Sequence, residues 1–453
     1  MSDVATLLEK YFPHSTAELC LGDSVRISQV ASRHGSPLFA YDRGVLDKKL
    51  SQLRAALPSD FSVSYSVKAN PNATILRHFL ESGCGLEIAS SGEYAQARHA
   101  GCPPHKIVFA GPGKTPAELE YVLARGIGEI HAESELEIER IGAICRRLKT
   151  SADVALRVNP TEEAQGGAMR MGGKPAPFGI DEERLDSAVD KVLSESNLNL
   201  CGIHLFTGTQ ILSADILVTQ YRKGLDIARS VARRIGHPLR TLDFGGGLGV
   251  PYFSHEVELD MAAVREGLKT LMAETRYDPS LAGTQMMVEP GRYLVAEGGI
   301  YVVRVIDIKN SRGKKYLIVD GGMNHHLAAS GNLGQTIKRN YPLALLTKLQ
   351  DAPCEEVDVV GPLCTPLDVL GRAVKLPKAE VGDLLGVFQS GAYARAASPL
   401  GFLSHPPPPE IWVNGSRDNV IRRRGEFQDY ISDQSVCENA ESSALNLNTT
   451  AVP

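Results

Sequence analysis

The chain has 453 residues, 43% of them hydrophobic and 22% charged, and a net charge of −5. This length exceeds what one compact core supports, so we predict at least two domains. The composition is typical of a soluble globular protein. The acidic balance argues against a nucleic-acid or anionic-membrane binder, because such proteins need a basic face.

The N-terminal residues 1–13 mix Asp3, Glu9 and Lys10 with short apolar pieces, so we predict no secretory signal. No apolar run in the sequence is long enough to predict a membrane span. The eight cysteines form no C-x-x-C pair, which argues against a zinc ribbon or a thioredoxin-type site. We therefore expect free thiols in a reducing cytoplasm.

Helical and strand patterns alternate from residue 45 to residue 292. The predicted strands are Phe61–Val67, Leu86–Ala89, Ile107–Ala110, Glu129–Ala132, Val154–Val158, Leu200–Phe206, Leu239–Phe244 and Gln285–Glu289. Eight strands over roughly 250 residues match a parallel (β/α)8 barrel. A doubly wound open sheet is the alternative, but no dinucleotide fingerprint follows the first strand.

Short alternating runs separated by Gly and Pro fill residues 293–432 and predict a mostly antiparallel β domain. Residues 1–44 are expected to contribute to that domain through Pro37–Tyr41. Residues 433–453 are rich in Ser, Asn and Thr with little to bury, so we predict a disordered tail. The predicted fold class is α/β, a barrel plus a β domain.

Lys68 follows the first predicted strand, within Ser64-Tyr65-Ser66-Val67-Lys68-Ala69-Asn70. In a barrel, this position faces the active site. Partial burial lowers the pKa of an amine, and a neutral amine forms a Schiff base with an aldehyde. A surface lysine at a strand exit is the alternative.

Three more strand ends carry polar side chains. Glu87 lies in an apolar strand, where a carboxylate is costly unless paired, and Arg157 needs a buried anionic partner or an exit to solvent. His204 precedes a Gly/Thr turn typical of anion-binding loops. A solvated acid and a structural histidine are the alternatives.

The last two barrel loops have the chemistry of a phosphate site. Gly245, Gly246 and Gly247 let backbone N–H groups approach a phosphate, and barrels often bind phosphate in these loops. In the following Glu289-Pro290-Gly291-Arg292, the acid would hold a protonated ring nitrogen and Arg292 would clamp phosphate or carboxylate. A flexible turn and a structural ion pair are the alternatives.

Two apparent motifs do not hold. Gly111–Thr115 lacks the first glycine of a P-loop, and His325-His326 has no Cys or His at ligand spacing, so we predict no metal site. Cys364 and Tyr393 each lie in a Gly-containing turn. Taken alone neither is specific, and a free buried thiol and a core tyrosine are the favoured interpretations. An amine, a phosphate cradle, an acid for a ring nitrogen and a flat histidine together predict pyridoxal phosphate as the cofactor.

These residues, in this order, resemble the fold-type III pyridoxal-phosphate decarboxylases, such as diaminopimelate and ornithine decarboxylases, over nearly the whole chain except the tail. The resemblance implies an alanine-racemase-like barrel plus β domain, and a head-to-tail homodimer with shared active sites. It implies that Lys68 carries the Schiff base, Glu289 pairs with the pyridine nitrogen and His204 stacks on the ring. Cys364 of a partner subunit would protonate the carbanion after carbon dioxide leaves. The remaining implied cofactor contacts are Glu87, Arg157, Gly245, Gly246, Gly247, Gly291, Arg292 and Tyr393.

The chain departs from that family pattern in several places. The turn after His204 is longer, which leaves open whether Thr207 or Thr209 contacts phosphate; we select Thr209. Thr365 stands where diaminopimelate and ornithine enzymes carry the acid that binds a distal ammonium, and an Arg-Pro-x-Leu-Tyr pattern is missing.

Residues 321–332 stand in place of that missing pattern, and this block and Gly166–Gly173 resemble the exosortase-associated and butirosin-type branch. The butirosin-type member acts on glutamate tethered to an acyl-carrier protein. Gly166–Gly173 would then be a mobile lid, with a flexible linker as the alternative.

We therefore predict a cytoplasmic pyridoxal-phosphate-dependent amino-acid α-decarboxylase. Its substrate would be carrier-tethered or otherwise atypical and would contact Cys364, Thr365 and Arg292. Diaminopimelate decarboxylase of lysine biosynthesis is the main alternative. An amino-acid racemase would need a second base across the ring, and a non-catalytic cofactor-binding protein would not need the large β domain.

Overall fold

The computed structural model describes residues 4–161, 169–170 and 175–436. The predicted lid Gly166–Gly173 lies outside the described residues except for Met169–Arg170, which pairs antiparallel with Gly208–Thr209. The predicted tail lies outside them from residue 437 onward. Within the described ranges, every helix is too short or too polar to span a lipid bilayer.

Eight parallel strands close into a barrel, since the fifth strand pairs with both the fourth and the sixth, and the eighth pairs with the first. The barrel strands are Phe61–Ser66, Gly85–Ile88, Ile107–Phe109, Glu129–Ala132, Ala152–Asn159, Leu198–Leu205, Thr241–Asp243 and Gln285–Val288. A two-residue strand, Ile180–Asp181, extends the sheet beside the fifth strand. The predicted barrel is thus confirmed, and the open-sheet alternative is wrong.

Helices surround the barrel and are set by local sequence signals. Thr115 caps one of them in a capping box with Glu118, directly before Pro116 at the first helical position. The helices around the barrel are Arg43–Ala56, Ala73–Glu81, Ser91–His99, Pro116–Leu123, Glu135–Leu148, Leu185–Ser194, Ala214–Ile235, Met261–Thr275 and Arg292–Val295. Short 3-10 turns lie at Val67–Ala69, Pro104–Lys106, Glu182–Arg184, Pro279–Leu281, Arg395–Ala397, Phe402–Ser404 and Phe427–Tyr430.

The first barrel strand ends at Ser66, one residue earlier than predicted. Ser66 pairs with Glu87 of the second strand, and pairing with the eighth strand already stops at Val63. Without a ladder partner, the chain turns into the 3-10 turn Val67–Ala69, which places Lys68 at the carboxyl end of the barrel.

A second, mixed sheet forms the β domain. Its strands are Leu38–Asp42, Gly299–Ser311, Lys314–Val319, Leu343–Leu345, Glu355–Val360, Val369–Leu376, Leu384–Val387, Glu410–Asn414 and Arg417–Arg422. Leu38–Asp42 lies between Gly299–Ser311, to which it is antiparallel, and Glu410–Asn414, to which it is parallel. The N-terminal residues therefore do contribute a central strand to this sheet.

The N-terminal helices Val4–Tyr11 and Ile27–His34 and the two-residue strands Cys20–Leu21 and Val25–Arg26 also belong with this sheet. Their apolar side chains form a separate core with one face of it, including Phe12, Ile27 and Ile300. The first segment carries a helix because Leu7 and Tyr11, four residues apart, fall on one buried face.

Glu410 joins the two domains. Its buried carboxylate accepts hydrogen bonds from Tyr41 Oη at 2.8 Å and from Asn72 Nδ2 at 2.9 Å, and it pairs with Arg422. Asn72 also caps the helix that follows the Lys68 turn. The position of that turn relative to the β sheet therefore depends on this carboxylate.

We expect Glu410→Ala to lower the free energy of unfolding by about 3 kcal/mol, because it leaves the buried donors of Tyr41 and Asn72 unsatisfied at about 1–3 kcal/mol each. Thermal and denaturant unfolding measure the change. Glu356→Ala, at an exposed acid on the same sheet, should stay within about 0.5 kcal/mol of the wild type. Equal effects of the two variants would contradict the role of Glu410.

Candidate functional site

A cavity of about 430 Å3 opens at the carboxyl ends of the barrel strands and extends to the β domain. It brings together eight of the residues predicted from the sequence. They are Lys68, Glu87, Arg157, His204, Thr209, Glu289, Arg292 and Tyr393. Thr209 lines the cavity and Thr207 is not among the lining residues, which supports the choice of Thr209.

Lys68 and Glu87 form an ion pair on one wall of the cavity. Lys68 Nζ lies 3.0 Å from Glu87 Oε2, and Ser66 Oγ donates to the same oxygen. The Glu87 side chain is buried, whereas 41% of the Lys68 side chain remains exposed. The amine therefore faces the cavity while its partner lies behind it.

The sequence-based expectation of a lowered pKa at Lys68 is wrong for this ligand-free site. Desolvation acts to lower the pKa, but the negative charge of Glu87, with Tyr393 and Glu289, outweighs it and raises the pKa above that of an ordinary lysine. Lys68 is thus an ammonium at neutral pH until a reactant or a change nearby removes its proton.

Four buried side chains converge at the bottom of the cavity: His131, His204, Asp243 and Glu289. One imidazole nitrogen or carboxylate oxygen from each lies within 4.8 Å of those of the other three. His204 Nε2 is 3.4 Å from Glu289 Oε2, and the two imidazole centroids are 4.5 Å apart. Glu289 Oε1 and Asp243 Oδ2 are fully buried without a hydrogen-bond partner among the described residues.

Two carboxylates this close cannot both be ionised in a dry interior. Burial and the charge of Glu289 raise the pKa of Asp243 well above its ordinary value. Burial acts to raise the pKa of Glu289 too, but His204, Asp243 and His131 together bring it below its usual range. Asp243 therefore holds the proton and Glu289 the charge. Burial lowers the pKa of His204 to about 4, so its imidazole is neutral.

Arg157 has the buried anionic partner that its position required. Arg157 Nη1 donates to Glu133 Oε1 at 2.6 Å. Glu133 also accepts the backbone N–H of Gly111 at 2.7 Å and of Gly179 at 3.0 Å. Because Gly111 and Phe178 line the cavity, this acid fixes two of the loops that bound it.

The glycine-rich loop packs against the Glu289 turn. A Cβ on Gly246 would lie 2.4 Å from the Glu289 carbonyl oxygen, and Gly245 and Gly247 have φ of +67° and +92°, so the loop needs glycine. Gly245 N–H donates to Asp243. Among the hydrogen bonds of the described residues, none uses the N–H of Gly246 or Gly247. Gly245, Gly246, Gly247 and Gly291 are not among the residues that line the cavity. The two donors without a partner would suit an anion that reaches this loop.

Arg292 lies between two tyrosines at the cavity wall. Its Nη1 donates to Tyr252 Oη at 3.1 Å, and its guanidinium stands 4.6 Å from the centroid of the Tyr393 ring. The preceding Gly291 packs so closely on the Lys68 turn that a Cβ would lie 2.9 Å from the Cβ of Ala69. The packing of Gly291 therefore fixes Arg292 beside the turn that carries Lys68. The guanidinium could bind either of the two predicted ligands, phosphate or carboxylate.

Cys364 and Thr365 do not line this cavity. Cys364 is exposed in the turn between two strands of the β domain, and Asp368 fixes that turn by accepting the N–H of Leu363 at 2.9 Å. An exposed thiol outside its own cavity is compatible with the predicted reach into a second subunit, which stays a prediction. His325 and His326 are both buried in the β domain and bond to Tyr301 and Ser390.

Sequence reasoning missed four contributors: His131, Glu133, Asp243 and Tyr252. Asp243 is the last residue of the seventh barrel strand. His131 and Glu133 surround the carboxyl end of the fourth barrel strand, where the strand-end rule that selected the others also applies. Tyr252 follows the glycine-rich loop, and no pattern in that loop indicates which way its side chain turns.

The proton on Asp243 has a measurable consequence for stability. A pKa raised by folding gives stability that is complete below the unfolded pKa of about 3.9 and is lost as pH rises toward the folded pKa. We expect Asp243→Asn, which keeps a neutral group, to remove this loss. Relative to wild type, its unfolding free energy should gain up to ~1.4 kcal/mol per pH unit above pH 4. Denaturant titrations of ligand-free protein across pH 5–8 measure this gain. If Glu289→Gln gave the gain instead, the proton would belong to Glu289.

Two observations indicate that the site fits pyridoxal phosphate. The buried, ionised Glu289 has an unpartnered oxygen, which a protonated pyridine nitrogen would satisfy, and the free N–H groups of Gly246 and Gly247 suit a phosphate. Lys68 would supply the amine for the aldehyde.

Comparisons with known proteins agree with this fit. The family model "Pyridoxal-dependent decarboxylase, pyridoxal binding domain" matches residues 43–296. The chain is 38% identical over 415 residues to an L-glutamyl-[BtrI acyl-carrier protein] decarboxylase of Niallia circulans, covering 91% of this chain and 96% of that protein. It is 31% identical to a diaminopimelate decarboxylase of Zymomonas mobilis, covering 94% and 99%.

A crystal structure of diaminopimelate decarboxylase from M. jannaschii with L-lysine superposes with a TM-score of 0.84 at 26% identity, covering 91% of this chain and 95% of that one. The resemblance noted in the sequence is therefore confirmed over the barrel and the β domain together. The chain belongs to the pyridoxal-dependent decarboxylases, and pyridoxal phosphate is its cofactor.

Proposed function

We propose that this decarboxylase removes the α-carboxyl group of an amino acid whose distal end is uncharged, namely glutamate tethered through its side chain to an acyl-carrier protein. The observation that carries the proposal is the outer wall of the cavity. It consists mainly of small and apolar residues: Phe178, Phe253, Ala328, Leu333 and Gly334.

The charged groups of the cavity lining besides Glu289 and Arg292 already have partners. Glu87 pairs with Lys68, Arg157 with Glu133, and Glu256 Oε2 accepts the backbone N–H groups of Tyr252 and Phe253. A distal ammonium or carboxylate would have to be desolvated beside apolar side chains, which is costly. A thioester-linked acyl chain has no such charge. Thr365 in place of an acid points the same way.

The residues at the bottom of the cavity divide the remaining work. When bound, the cofactor supplies an electron sink for the pair of electrons left at the α-carbon. Lys68 would hold the cofactor covalently, Glu289 would keep a proton on its ring nitrogen, and His204 would pack on the ring. Gly246 and Gly247 would donate to its phosphate, with Arg292 and Tyr393 nearby.

The reaction releases carbon dioxide and places a proton on the α-carbon. Cys364 of a second copy of the chain is our candidate donor of that proton. Cys364 is exposed and does not line the cavity of the chain to which it belongs. This part of the proposal needs a homodimer with shared active sites. The seven described cysteines are all free thiols, which supports our proposal that the protein works in a reducing cytoplasm.

Diaminopimelate decarboxylation is the second candidate. Glu256 favours it, because this carboxylate lines the outer part of the cavity and would attract a distal ammonium. Several of the chain's relatives carry that activity by name.

Carbon dioxide release from free meso-diaminopimelate, ornithine, lysine, arginine and glutamate, compared with carrier-tethered glutamate, tests the two candidates. We expect release from the tethered substrate with a kcat/KM at least tenfold above that of any free acid. Glu256→Gln separates the candidates further, since it should leave activity on the tethered substrate within about threefold. Efficient release from diaminopimelate that Glu256→Gln abolishes would favour the second candidate.

The ion pair between Lys68 and Glu87 predicts how the enzyme takes up its cofactor. Attack on the aldehyde needs the neutral amine, and Glu87 raises the pKa of Lys68, so loading should accelerate with rising pH. Glu87→Gln should shift the loading profile to lower pH by ~1–3 units. Stopped-flow absorbance after mixing apoenzyme with pyridoxal phosphate measures the rate. Lys68→Arg, which keeps the charge but cannot condense, should show no covalent loading, and an unshifted profile in Glu87→Gln would refute the coupling.

A further inference from the structure

A short exposed segment, residues 336–340, continues directly from the cavity wall to the protein surface. Leu333, Gly334 and Gln335 line the cavity. Two residues further on, Ile337 is 69% exposed, and Lys338 and Arg339 are also exposed. Whatever enters the cavity past Leu333 therefore passes close to an apolar side chain and two cations.

Neither cation is neutralised by an acid. Lys338 Nζ donates to Asn332 Oδ1 at 2.5 Å, and Arg339 Nη1 contacts His255 Nε2 at 2.7 Å. Within the described part of the chain, no carboxylate forms an ion pair with either, whereas exposed arginines such as Arg222 do have acidic partners. A chain of net charge −5 thus keeps two uncompensated positive charges at this place.

Residues 253–257 form a second rim of the same opening. Phe253 lines the cavity, its ring lies 5.5 Å from the Arg339 guanidinium, and the exposed His255 bonds to Arg339. Val257, two residues on, is 73% exposed. The two rims are thus joined by Arg339, and we define the rim surface as Ile337, Lys338, Arg339, His255 and Val257. The acid between the last two, Glu256, accepts the backbone N–H groups of Tyr252 and Phe253.

We propose that this rim surface docks the acidic body of the acyl-carrier protein that delivers the substrate. The inference rests on the proposed function, because only a tethered substrate brings a carrier protein to the cavity mouth, in addition to the second copy of the chain that would supply Cys364. Lys338 and Arg339 would meet carboxylates of the carrier and the phosphodiester of its prosthetic arm, while Ile337 and Val257 pack beside them. Uncompensated charge at a rim acts mainly by steering association and fixing register, and salt screens it.

Charge complementarity favours a carrier protein over a second copy of this chain. A second copy related by a two-fold axis through this face would place the same cations opposite one another. An acidic carrier, by contrast, neutralises them. The small, apolar cavity wall behind Leu333 suits the uncharged arm that would follow.

The test uses the double variant K338E/R339E of the full-length holoenzyme. Its matched control is K309E/R312E, which reverses two exposed, unpaired cations near the Ser311–Lys314 hairpin of the β domain. Two substrates are compared, L-glutamate as a thioester on an acyl-carrier protein and the same glutamyl thioester on free pantetheine. Carbon dioxide release gives kcat and KM, and sedimentation gives the oligomeric state.

For the carrier substrate, we expect K338E/R339E to lower kcat/KM at least tenfold, chiefly through KM, and to remove most of its salt dependence. For the pantetheine substrate, both variants should stay within twofold of the wild type. K309E/R312E should match the wild type on both substrates.

Three results would overturn the docking surface alone: an undiminished kcat/KM of K338E/R339E on the carrier substrate, an equal loss on both substrates, or dissociation of the enzyme's own oligomer. The last would assign the face to contact between copies of this chain. A wild-type enzyme that decarboxylates a free amino acid but not the carrier thioester would instead refute the proposed function, and the docking surface with it.

Discussion

The site depends on one constraint, an ionised carboxylate held in the dry interior of a closed barrel. Glu289 follows the eighth strand, and His131, His204 and Asp243 come from the fourth, sixth and seventh, so the cluster exists only because the sheet closes. A buried ion costs several kcal/mol unless it is compensated. The neutral imidazole of His204 and the protonated Asp243 stabilise the charge in part. The oxygen they leave unpartnered would be satisfied by a cationic ring nitrogen.

The second dependence is between the two domains. Ala69, beside Lys68, accepts the N–H of Tyr393 at 2.8 Å, and Asn70 Nδ2 donates to the carbonyl of Gly391 at 3.0 Å. The turn that carries the amine is thus hydrogen-bonded to the β-domain loop that carries a predicted phosphate ligand. Since Glu410 fixes the same turn from the other side, through Asn72, the distance between the two ends of the cofactor site is set by domain packing.

Much of this site could be predicted from the sequence, because a parallel barrel brings all its carboxyl strand ends to one face. Lys68, Glu87, Arg157, His204 and Glu289 were found in that way. The direction of the Lys68 pKa shift could not be predicted. It depends on the distance between Lys68 and Glu87 in the folded protein and not on burial alone. The positions of Asp243 and Glu289 at the ends of neighbouring strands likewise do not indicate which of the two acids is protonated. The three-residue strand Leu343–Leu345 was missed because so short a run has no periodicity.

The outer part of the cavity suggests how such an enzyme changes substrate without changing its chemistry. In the proposed function, the buried cluster and the lysine would serve the chemistry at the α-carbon, which every amino acid offers in the same form. Selectivity therefore has to come from the distal end. There Ala328, Leu333 and Gly334 supply space and apolar surface, and Glu256 is held by two backbone N–H groups. A wall of that kind discriminates weakly among uncharged chains, since a methylene group is worth only about 1–3 kcal/mol. Stronger selection then requires contacts outside the cavity, and Lys338 and Arg339 of the rim are our candidates for making them by charge.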